Sequence, residues 1–209
     1  MFIPRHPVVE NQFCSYGAQT GTSSAGVGGV VAYAGAVVYL YPTATNQEAI
    51  VYKMAHGVTE TPFGFSMQKV KTGYHQVHPA GFMMPGDLGS SDVIAQPTYN
   101  ASGAITGTKE VPVGVAHLGI WDTVHYTCLG GTGSPAALTP GMLMYAAADE
   151  AKITSSTVNS DGATDAATGA RVTGVSTAVA RVVKGASAAK VTANVNNTTL
   201  YPIRVKLLV

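Results

Sequence analysis

Charge is what this sequence has least of. Asp, Glu, Lys and Arg make up 11% of its 209 residues, where a typical soluble domain has about 25%. The basic residues (Arg5, Lys53, Lys69, Lys71, Lys109, Lys152, Arg171, Arg181, Lys184, Lys190, Arg204 and Lys206) are scattered, form no basic block, and leave a net charge of +1. The sequence therefore lacks the electrostatic footprint of a nucleic-acid-binding chain, and no direct nucleic acid partner is expected. Cysteine is equally scarce. Cys14 and Cys128 stand in unrelated contexts, which argues against a disulfide framework and suits small buried apolar side chains, with a single bridge between them left open.

A long apolar helix is missing too. Residues 12–47 carry no charge and 25–41 are apolar, but Gly26, Gly28, Gly29 and Gly35 interrupt the run, Tyr33, Tyr39 and Tyr41 recur near period two, and Pro42 ends it. A spanning helix needs about 20 apolar residues, so this segment reads as strand and no membrane partner is expected. The opening MFIPRHPVVE has no basic stretch followed by an apolar one, as a secretory signal would. Synthesis in the cytoplasm is expected.

What is present is an ordinary apolar fraction, 46%, under a skin of Thr, Ser, Asn, Gln, Gly and Ala. Such a surface gives up much of the self-repulsion that keeps monomers apart. It suits a subunit covered by neighbours, and it suits an extracellular β domain. Val outnumbers Leu by 26 to 9, and β-branched side chains fit a pleated sheet better than a helix. The fold class expected is all-β, a sandwich or barrel-like domain or domains with an extended N-terminal arm. Strands are expected over 30–41, 49–54, 63–70, 93–97, 113–118, 121–129, 143–147, 171–183, 190–195 and 203–209, separated by turn-forming Gly, Pro, Asn and Asp clusters. Residues 47–56 also fit a helix capped by Asn46, but the strand alternation is preferred there.

Three stretches share a template in which a Gly opens an apolar strand and a Gly-apolar-small segment follows later in the stretch. They end at Gly64-Phe65-Ser66, Gly114-Val115-Ala116 and Gly174-Val175-Ser176. A Gly inside a strand marks a bulge, a bend or close backbone approach. Residues 1–29, with Pro4 and Pro7, read as an extended arm; 30–129 form a first β region and 130–209 a second, with an exposed polar excursion near 155–169.

Chemistry-bearing residues do not assemble into a site. His75 and His78 would face opposite sides of a strand, as would His125 and Cys128. Nothing local would activate Cys128 as a nucleophile. The segment from Asp87 to Asp92 has two serines but no strand-turn-helix setting for a nucleophile. Asp149, Glu150, Asp161 and Asp165 lack the fixed spacing of a calcium loop, and Gly26-Val27-Gly28-Gly29 lacks the Lys and helix of a phosphate loop. No catalytic, metal or cofactor-binding residue is assigned, no cofactor is expected, and the chain is not read as an enzyme.

The last third carries Pro140-Gly141-Met142-Leu143, then a polar insertion, then Val172-Thr173-Gly174-Val175, and ends on the alternating strand Tyr201-Pro202-Ile203-Arg204-Val205-Lys206-Leu207-Leu208-Val209. This pattern, best over about the last 75 residues, resembles the head decoration (capsid cement) proteins of tailed bacteriophages. The resemblance implies an all-β virion protein on the capsid exterior, made in the host cytoplasm, bound to the major capsid protein and to other copies of itself, often as trimers, without catalysis. Candidate contact elements are residues 1–19 and 74–88, the latter with Phe82, Met83 and Met84. The other expectation is a receptor- or glycan-binding module of a phage tail or fibre, in which tyrosines and an exposed Trp121 would stack on sugars.

Overall fold

A computed structural model describes residues 2–5, 10–18, 29–41, 49–54, 61–72, 92–127, 136–147, 151–155 and 177–209. Its strands are β1 (Phe2–Pro4), β2 (Glu10–Tyr16), β3 (Val30–Ala32), β4 (Val37–Leu40), β5 (Ile50–Lys53), β6 (Pro62–Ser66), β7 (Lys69–Thr72), β8 (Asp92–Ala95), β9 (Pro97–Tyr99), β10 (Ile105–Thr108), β11 (Val111–Leu118), β12 (Ile120–Thr123), β13 (Tyr126–Thr127), β14 (Leu143–Ala146), β15 (Ile153–Thr154), β16 (Ala178–Lys184) and β17 (Ile203–Leu207), with one helix, α1 (Ala188–Val195). The fold is all-β, as the Val-rich composition predicts.

Five strands close a small barrel in the order β11-β2-β5-β4-β6, and seven form an open sheet in the order β1-β12-β17-β16-β14-β15-β13. Strand alternation divides the apolar residues between two cores. Cys14, Tyr16, Val38, Val51, Val113 and Val115 form one cluster with Val31, Ala32 and Val70 of the three-stranded sheet β3-β7-β8. Their neighbours in the barrel strands, Val37, Phe65 and Ala116, join the other cluster, where they meet Trp121, Met144, Val182, Ile203, Val205 and Leu207 of the seven-stranded sheet. One barrel wall thus packs on the inner face of that sheet.

The barrel seam depends on a missing side chain. A Cβ on Gly64 would lie 2.5 Å from Val115 Cγ1 and 2.8 Å from the Ala116 carbonyl oxygen, so β6 and β11 can approach only because position 64 has none. This is the close approach expected of a Gly in the repeated segment. Gly35 and Gly141, which open β4 and β14, take φ of +90° and +92°, a region that favours glycine. Gly174, the third glycine of the template, lies outside the described residues.

Long-range pairing orders the N-terminal segment and the large sheet, and one expected strand needs correction. Where they are described, residues 1–29 are extended and ordered by what they lie on: β1 pairs antiparallel with β12, and β2 lies between β11 and β5 in the barrel. Short strands without regular alternation, interrupted by Pro, conceal pairing that is set entirely by distant partners. The seven-stranded sheet draws β1, β12 and β13 from residues before 130 and β14 to β17 from residues after it. Residues 190–195 are helix, not strand. Ala188, Ala189, Lys190 and Ala193 favour helix, and Val191 and Asn194 share its buried face. Asn194 fixes that helix to the sheet, donating from Nδ2 to the Val124 carbonyl at 3.0 Å and accepting at Oδ1 from the Tyr201 N–H at 3.2 Å.

Candidate interaction surfaces

Strand register gathers cations that are dispersed in the sequence. In β17, Ile203, Val205 and Leu207 point into the core, so Arg204 and Lys206 point outward. In β16, Arg181 pairs with Lys206 and Lys184 with Arg204, across a bulge between Val182 and Lys184. Asp122 of β12 pairs with Arg204 from the other side. Its carboxylate receives Arg204 Nε at 2.8 Å on Oδ1 and Arg5 Nε at 2.7 Å on Oδ2, which holds the end of β1 to the sheet. The hydrogen bond from Arg204 holds Asp122 below its usual carboxylate range; burial opposes this, and Arg5 adds to it. The same partner pushes the Arg204 guanidinium pKa up. The outward face therefore carries Arg5, Arg181, Lys184, Arg204 and Lys206 against Asp122, on a chain whose net charge is +1. The period-two placement of Arg204 and Lys206 was the available sequence signal; their approach to Arg181 and Lys184 required the register.

A second cation pair flanks Asp92, where Lys71 and Lys69 of β7 meet its carboxylate, Lys69 Nζ at 3.4 Å. Burial raises the Asp92 pKa, but the two lysines outweigh it and bring the carboxyl below its usual range. This ion pair fixes the parallel register of β7 and β8. Asp92 is thus structural, while the rest of the 87–92 segment lies outside the described residues.

Large apolar side chains stand on the surface. Phe13 is 75% exposed although its neighbour Cys14 lines the barrel, and Tyr41 is 48% exposed. Tyr41 meets Tyr52 edge-on at 5.2 Å between ring centroids, and Tyr39 and Tyr16 lie within 6.2 Å of the same ring. The Tyr52 ring lies over Gly17, so that a Cβ there would displace the ring. Tyr16 itself is buried, and desolvation pushes its phenol pKa up.

A cleft of about 270 Å³ opens between the β3–β4 turn, β13 and α1, lined by Tyr33, Lys69, His125, Lys152 and Asn194 among others. His125 is 7% exposed and its ring stacks on Tyr33 at 5.2 Å. No family model, curated protein or solved structure matches the chain.

The remaining sequence candidates separate into two groups. His75, His78, Phe82, Met83, Met84, Asp87, Cys128, Asp149, Glu150, Asp161 and Asp165 lie outside the described residues. Trp121 is 1% exposed and belongs to the central core, so it offers no platform for a sugar. Cys14 is a free, buried thiol whose pKa is raised by desolvation. Among the described residues no group of three His, Cys, Asp or Glu side chains converges as metal ligands would, and no described helix is long and apolar enough to cross a membrane.

Proposed function

We propose that the chain is a virion structural protein of the decoration class, binding the outer surface of a phage head and bridging major capsid subunits. The observation that carries this reading is Phe13, held 75% exposed on a barrel strand. A large apolar side chain presented this way gains its burial energy only from a neighbour. Tyr41, Tyr99, Leu118 and Leu200 are exposed as well, on a chain with little charge to discourage association. The C-terminal strand pattern supports the more specific assignment by resemblance alone. The test is incubation with empty heads of the protein's own source followed by sedimentation. Saturable, stoichiometric co-pelleting is expected, and retention in the supernatant at all head concentrations overturns the reading.

A second reading, a receptor- or glycan-binding module, is supported by the Tyr39, Tyr41 and Tyr52 group, since tilted and edge-on tyrosines present apolar faces with polar tips. It requires glycan binding that Tyr41→Ala abolishes without change in melting temperature.

A further inference from the structure

The four cations of β16 and β17 form two cross-strand pairs of like charge, Arg181 opposite Lys206 and Lys184 opposite Arg204. Directly opposed like charges destabilise a sheet, and one such pair could be incidental. Two adjacent pairs in a chain with 11% charged residues form an array that the fold itself does not need. Among the described residues only Asp122 answers it, and Asp122 is shared between Arg204 and Arg5. Arg181, Lys184 and Lys206 are exposed and make no ion pair with described residues. An uncompensated arrangement of this kind is relieved when an external anionic surface covers it.

We propose that the outward face of the seven-stranded sheet is a docking surface for an acidic protein surface, engaged by Arg181, Lys184, Arg204 and Lys206. This rests on the assembly reading and names the face through which the chain meets the shell. Charge complementarity sets the sign of the partner. The side chains bordering the array set its class: Ile120 and Leu143 continue the row of Lys206 and Arg181, and Ile3 continues the row of Arg204 beyond Asp122. All three are half-buried, and Val183 in the bulge is 42% exposed. Carboxylates on a mixed polar and apolar protein surface satisfy both kinds of group, whereas a phosphate backbone would leave the aliphatic side chains uncovered.

The variant R181E/K184E places a carboxylate opposite each of Lys206 and Arg204, so it should melt no lower than wild type while the face loses its charge. Full-length proteins are compared on immobilised poly-L-glutamate, on immobilised double-stranded DNA, and by sedimentation with empty heads. Wild type should be retained on poly-L-glutamate in a salt-dependent manner, and R181E/K184E should bind it more weakly by about tenfold or more. R181Q/K184Q, which adds no new ion pair, should fall between them. Equal retention of wild type and both variants overturns the proposal, as does tighter retention of wild type on DNA than on poly-L-glutamate at matched salt. If wild type and R181E/K184E pellet with heads equally, the face is wrong and the assembly reading stands. If wild type does not pellet but its retention on poly-L-glutamate is lost in R181E/K184E, the assembly reading is wrong and the acidic-surface face stands.

Discussion

Phe2 lies flat against Trp121, with ring centroids 4.5 Å apart and planes within 7°. The second residue of the chain thereby closes the central core, stacking also on Phe65 of the barrel wall at 5.7 Å. Phe2→Ala should cost about 3 kcal/mol, the low end for a buried Phe because β1 is an edge strand. Urea denaturation followed by Trp121 fluorescence measures this directly. Removing residues 1–19 takes away β1 and also β2, so that β11 and β5 would each lose one paired edge and the barrel would be left open. The truncated protein should therefore fail to fold, not merely fail to bind, and a cooperative unfolding transition in it would contradict the pairing described above.

The Asp122 bridge gives stability a defined pH dependence. Its folded-state pKa is depressed below the usual 3.8, so the folded protein holds that proton less tightly than the unfolded chain. The stabilisation is fully present above the unfolded value and is lost as pH falls through the lower, folded one. Asp122→Asn should cost about 1–2 kcal/mol at pH 7, since both arginine partners are partly solvent-exposed. Chemical denaturation of both proteins across pH should show the gap narrowing only below about pH 4. A constant gap at all pH values would place the effect in packing and not in charge.

Much of the fold was legible in local sequence. Val, Thr and turn residues located β4, β5, β11, β14 and β17: alternation and burial agree in β14 and β17, while β4, β5 and β11 carry consecutive buried residues. What local sequence concealed was set by register. Arg181 and Lys206 are 25 residues apart in the numbering yet directly opposed, and no composition or periodicity argument brings them together. The misread helix has a different cause: Val191 and Val195 are spaced for a helical face, but their β-branched side chains suggested strand, and Ala188, Ala189 and Ala193 decided the conformation. The candidate surface was therefore visible as an alternating pair of cations and invisible as an array.

Glycine substitutions separate close approach from backbone strain. Gly64→Ala puts a methyl group against both Val115 and the Ala116 carbonyl, inside the barrel seam. It should cost more than about 2 kcal/mol, as overpacking between two paired strands does. Gly103 has φ of +80° but open space within 4 Å of a would-be Cβ, so Gly103→Ala should cost only the left-handed backbone term, about 1 kcal/mol. Thermal melting of the two variants side by side tests the difference, and similar losses would mean that β6 and β11 have slack at their seam.

Cys14 reports on the same barrel from inside. Its thiol is 6% exposed and sits opposite Val113 in the β2–β11 pair. Burial pushes its pKa up, and because the thiolate is the reactive form, both access and ionisation oppose labelling. In a Cys128→Ser background, a charged aromatic disulfide reagent at pH 8 should leave the native protein unmodified and label it in step with urea unfolding. Gly64→Ala, which strains the seam between β11 and β6, should raise the labelling rate at urea concentrations where the Trp121 signal is still native. Trp121 belongs to the other core, so early labelling with an unchanged Trp121 signal identifies opening of the barrel alone. Labelling of both proteins only at global unfolding would show instead that barrel and sheet separate as one cooperative unit.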